Sequence, residues 1–71
     1  MIKQLGARVA QARKRAGLTQ AQLADQIGLS RNALIGIETG KTQSPGVELI
    51  RNIAVALGVT TDFLVGLSPE P

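Results

Sequence analysis

The side chains of this sequence that are equipped for chemistry are hydrogen-bonding groups. The 71 residues include no cysteine and no histidine, which removes disulfides, thiolate and imidazole metal ligands, and the Cys–His and Ser–His pairs of covalent catalysis. No enzyme activity, metal or cofactor is expected. What stands out is the run Ser30-Arg31-Asn32-Ala33. Arg31 can bond bidentately to guanine O6 and N7 and Asn32 to adenine N6 and N7, while Ala33 can touch only a thymine methyl. The bland alternative for Arg31 is a phosphate contact or a solvated charge. Gly40-Lys41-Thr42 imitates the end of a phosphate loop, but such a loop needs a glycine five residues before Gly40, and Ile35 stands there.

Charge points the same way. Eight basic against five acidic residues leave +3, with a sequence pI of about 10.2. All eight basic residues fall within residues 1–51, where only Asp25, Glu38 and Glu48 oppose them, so that stretch carries +5 and the remainder, with Asp62 and Glu70, carries −2. A small basic domain suits an anionic partner, nucleic acid before a membrane surface. Leu, Ile, Val and Phe make up 21 of the 71 residues, well above the roughly 20% below which chains stay disordered. One small folded domain is expected, over residues 1–67, with 68–71 a frayed tail or the start of a linker. No apolar run approaches the ~18 residues of a membrane span, and the N-terminus lacks a signal-peptide pattern, so the expected location is cytoplasmic.

The elements that must position Ser30 to Ala33 are all helical. Ile2, Leu5, Val9, Ala12 and Ala16 recur at the three-and-four spacing of one helix face, closed by Gly17. Thr19 is placed to cap a second helix from Gln20 to Ile27, with Gln22 completing a capping box and Leu18 and Leu23 a hydrophobic staple. Gly28 suits its left-handed stop. Ser30 caps a third helix from Arg31 to about Thr39, with a Leu29–Leu34 staple, and Gly40 ends it. Lys41 to Gly46 is a polar loop. Val47, Ile50, Ile53, Ala54 and Leu57 define a fourth helix, begun either at Ser44-Pro45 or at Gly46 and ended by Gly58. Thr60 caps a short fifth, with Asp62 in its first turn and a Val59–Leu64 staple. The fold class is all-α, a compact five-helix domain.

Two short helices joined through Gly28-Leu29-Ser30 make a helix-turn-helix over residues 20–39. Ala24 must be small where the third helix crosses, Gly28 needs a positive φ, and Leu34 and Ile37 face inward. Two charges interrupt the apolar faces. At about 100° per residue, Arg13 falls within roughly 20–40° of Ile2 and Val9, and Glu38 lies between Leu34 and Ile35. A charge there is costly unless paired, so Arg13 and Glu38 are expected to meet and tie the first helix to the third; the alternative is that they snorkel to solvent.

The sequence closely resembles the Cro-like and phage-repressor (XRE) family of helix-turn-helix proteins, with a lambda-repressor-like fold. The matching residues are Gly17-Leu18-Thr19-Gln20, Leu23-Ala24, Ile27-Gly28-Leu29-Ser30-Arg31, Leu34, Ile37-Glu38, Gly40-Lys41, Pro45, Ile53-Ala54, Ala56-Leu57-Gly58-Val59, Asp62 and Leu64, spanning roughly residues 2–66. The resemblance implies the Arg13–Glu38 pair, a phosphate clamp at Gln20, and a two-fold dimer reading half-sites about one DNA turn apart. It implies a sequence-specific regulator of transcription, most simply a repressor, acting on double-stranded DNA in a bacterial or phage nucleoid. Base readout is then expected from Ser30, Arg31, Asn32, Ala33 and Gly36, and phosphate contact from Thr19, Gln20, Lys41 and Thr42. Lys14 and Arg15 fit long-range attraction or a plain solvated face. This sequence departs from the family pattern at Ile35 and Gly36, where small or polar residues are usual, and its loop before Pro45 is one residue longer. Gly36 offers no side chain to a base, so DNA shape is expected to supply part of any specificity. Leu49, Val55, Val65 and Ile35 lie off the main stripes, and several together would form an exposed apolar patch. The competing reading is a protein-interaction module, an antitoxin or adaptor on the same fold.

Overall fold

The computed structural model describes residues 4–42 and 45–70. Its elements are α1 (Leu5–Arg15), α2 (Gln20–Gln26), α3 (Arg31–Glu38), α4 (Val47–Leu57) and α5 (Thr61–Leu64), and no strand occurs among the described residues.

Side-chain caps mark the starts of α2, α3 and α5. The Thr19 hydroxyl accepts from Gln22 N at 3.0 Å while Thr19 N donates to Gln22 Oε1 at 2.8 Å, a complete capping box. Ser30 Oγ accepts from Ala33 N at 3.1 Å and Thr60 Oγ1 from Phe63 N at 3.0 Å. The start of α4, ambiguous in sequence, falls with Gly46 at the N-cap. The sequence-expected second and third helices each end one residue early, with Ile27 and Thr39 as C-caps. After α2, Gly28 takes φ 72°, its N–H reaches Asp25 O, and Leu29 N donates to Ala24 O at 2.8 Å. That paired closure turns the chain sharply into α3.

All five helices feed one core. Val9, Leu23, Leu34, Ile53 and Leu64 are its largest fully buried side chains, and the staple leucines Leu18 and Leu29 and Val59 pack against it. Two sequence expectations need correction. Ala16, counted on the α1 apolar stripe, is an exposed C-cap, because the helix has already ended at Arg15. Ile2 lies outside the described residues. Leu49 and Val65 are packed against the core and Ile35 is half-buried, so of the four off-stripe apolar residues only Val55 stands exposed.

Beyond α5, the chain is bonded back to α1. Arg8 Nη1 donates to Phe63 O at 3.1 Å and to Ser68 O at 2.9 Å, with its guanidinium 4.7 Å from the Phe63 ring centroid. Pro71 lies outside the described residues.

Gly6 brings α1 close to α3. A Cβ there would stand 2.5 Å from Glu38 O and nearer still to Ile37 O, both backbone atoms that cannot step aside. Alanine in a helix interior ordinarily gains about 0.5–1 kcal/mol over glycine. Here Gly6→Ala is expected to destabilise instead, by about 1–3 kcal/mol as an overpacked contact, lowering the melting temperature by roughly 4–8 °C per kcal/mol. Thermal unfolding followed by circular dichroism checks this, and an unchanged or raised melting temperature would refute the close approach.

Candidate nucleic-acid interface

The first turn of α3 carries Arg31, Asn32 and Ala33, all exposed, with exposed Ser30 as their cap. The Ser30 oxygen accepts from Ala33 N, which leaves the hydroxyl its donor and one lone pair for outward contact. Gly36 follows one turn later on the same side and is half-buried. Thr19 is exposed and committed to its capping box, Gln20 is half-buried at the first position of α2, and Lys41 and Thr42 are exposed just beyond α3. The structure therefore gathers Ser30 to Ala33 on one helical turn, while Gly36 contributes only backbone.

Behind that face, α1, α2 and α3 meet at a buried ion pair. Arg13 Nε donates to Glu38 Oε2 at 2.8 Å and Nη2 to Glu38 Oε1 at 3.2 Å, a forked contact between side chains only 10% and 5% exposed. A third Arg13 donor, Nη1, reaches Leu18 O at 2.8 Å in the α1–α2 turn. Gln20 Nε2 adds a bond to Glu38 Oε1 at 3.1 Å. Every buried side-chain polar atom among the described residues has a partner, which is the condition for a buried charge pair to be tolerated. Glu38 is the sole acid of α3. With Arg13 against it, the helix presents Arg31 without an unbalanced carboxylate behind it.

Sequence reasoning placed Gln20 toward DNA and missed its bond to Glu38. It also passed over Gly6 and Arg8. For Gly6 a signal existed, since a glycine inside a helix costs stability and calls for a packing reason. For Arg8 there was none, because its partners are carbonyls 55 and 60 residues away.

Comparison with known proteins agrees with this geometry. A helix-turn-helix domain family matches residues 4–64. The chain belongs to the helix-turn-helix family. This helix-turn-helix protein is 46% identical over 46 residues to an uncharacterized HTH-type transcriptional regulator of Methanothermobacter thermautotrophicus, covering 65% of each chain. It is 37% identical over 62 residues to the immunity repressor protein of Bacillus phage phi105, covering 87% of this chain and 42% of the repressor. Against both relatives the aligned part is under two thirds of their length.

The ion pair has a measurable signature. Arg13→Met strands the Glu38 carboxylate and is expected to cost about 3–5 kcal/mol, while Arg13→Met with Glu38→Leu costs clearly less than the single change, because no charge is left buried. Urea titrations of the singles and the double give the coupling, and strictly additive losses would show that the two residues do not interact.

Proposed function

We propose that this protein is a sequence-specific double-stranded DNA-binding regulator of transcription, acting as a repressor, with α3 in the major groove. The observation that carries the reading is the exposed turn Ser30-Arg31-Asn32-Ala33, at the N-terminal end of a helix tied from behind to α1 and α2. A recognition helix enters the groove with that end foremost. Arg31 and Asn32 supply base readout, with the Ser30 hydroxyl and the Ala33 methyl beside them. Gln20, Thr19 and Lys41 flank that turn and suit phosphate. The relatives' names, a transcriptional regulator and an immunity repressor, support the same role.

The reading extends to a homodimer on a two-fold symmetric operator in the cytoplasm. Val47, Val55 and Leu67 are 82%, 77% and 78% exposed, apolar area available to a second copy. No helix among the described residues is long and apolar enough to cross a membrane. One feature favours a second reading, the protein-interaction adaptor. An open groove between α2 and α4 is lined by Gln26, Ile27, Arg51, Asn52, Val55 and Ala56.

Selection of bound genomic fragments at near-physiological salt separates the two. A DNA-reading dimer enriches a two-fold symmetric motif with half-sites about 10 bp apart. Asn32→Ala then relaxes one base-pair position, at about 1–3 kcal/mol, whereas Lys41→Ala weakens all sequences alike and lowers the salt slope by about one. Binding without an enriched sequence that vanishes as salt rises would leave only the electrostatic attraction and favour the adaptor.

A further inference from the structure

We propose that the Thr42 hydroxyl is a base-reading group, delivered by the loop after α3 into the place left by the missing side chain of Gly36. This rests on the DNA-binding reading above and adds a specificity residue to it. Asn32, Ala33 and Gly36 share one stripe of α3, because residues three and four apart on a helix are neighbours. The first two are exposed and carry side chains, and the stripe continues at Gly36 with none. A Cβ built on Gly36 would stand 3.2 Å from Thr42 Oγ1, so the direction a side chain would take at this position leads to that hydroxyl.

The way α3 ends explains how the loop gets there. After α1, α2, α4 and α5 the glycine N–H closes on the residue three before it, and the next N–H closes on the residue five before itself: Leu18 on Arg13, Leu29 on Ala24, Val59 on Ala54, Leu67 on Asp62. After α3 the glycine step is the same, Gly40 N to Ile37 O, but the Gly36 carbonyl is taken one residue later, by Thr42 N at 3.0 Å. The extra residue folds the loop back onto the helix and lays Thr42 over Gly36. The exposed Thr39 hydroxyl is instead bonded back along α3, donating to Ile35 O at 2.8 Å. Thr42 is itself exposed. A threonine hydroxyl both donates and accepts and can pair with either kind of base edge. The site it reads is the base pair next to that met by Asn32 and Ala33, toward the C-terminal end of α3.

The test is fragment selection and titration with the full chain and its Thr42→Val, Thr42→Ser and Gly36→Ala variants. Thr42→Val keeps the side-chain shape and the backbone bond to Gly36 while removing the hydroxyl. It is expected to lose roughly 5- to 150-fold discrimination at one base-pair position per half-site, the value of one good base contact, with the other positions and the melting temperature unchanged. Thr42→Ser should retain that preference, and Gly36→Ala, which crowds Thr42, should alter the same position. Uniform weakening on every sequence in Thr42→Val, or no change at all, would overturn the proposal while leaving the DNA-binding reading standing. A native chain that enriches no motif would overturn both.

Discussion

The arrangement of this domain turns on a buried charge pair. Arg13 and Glu38 are taken out of water at the point where α1, the α1–α2 turn and the end of α3 converge, and neither would be tolerated there alone. Because a guanidinium fork fits a carboxylate in one plane, the contact fixes direction as well as distance. Gln20 completes it by bonding the same carboxylate from the start of α2. The result is that the far end of α3 is clamped by two other helices while its first turn faces outward.

Close packing makes that clamp reachable. Gly6 lets the α1 backbone lie against the carbonyls of Ile37 and Glu38, and Ala24, 2% exposed, keeps α2 small where α3 crosses. A larger residue at either place would push α3 outward and pull Glu38 from Arg13. On the opposite side of α1, Arg8 holds Phe63 and Ser68 and so ties the last helix to the first. Residue size therefore sets where the helices sit, and two arginines fasten α1 to the chain on either side of it.

Much of this was legible in the sequence because it is local. Thr19, Ser30 and Thr60 announce helix starts through side chains that bond three residues ahead, and Gly28 announces a turn through a φ that other residues resist. The Arg13–Glu38 contact was also foreseeable, because two charges on apolar helix faces need each other. The unforeseen features are those that depend on distant backbone. Arg8 bonds carbonyls, which leave no mark in the sequence at their own positions. Leu49 and Val65 lie off their helix stripes yet pack on the core, because a helix enclosed by several neighbours buries more than one stripe. Thr42 over Gly36 depends on how a loop folds back, and only the extra residue before Pro45 hinted at it.

The central claim is that the outward turn of α3, set by the junction of Arg13, Gln20 and Glu38, is the surface that meets DNA. Amide chemical shifts of the labelled protein, followed by NMR while the selected duplex is added, test it residue by residue. The account predicts the largest perturbations at Ser30, Arg31, Asn32 and Ala33, with Gln20 and Thr42 at the edge and little change at Gln26, Arg51 and Val55. Perturbations centred on Gln26, Arg51 and Val55, with the first turn of α3 unmoved, would contradict it.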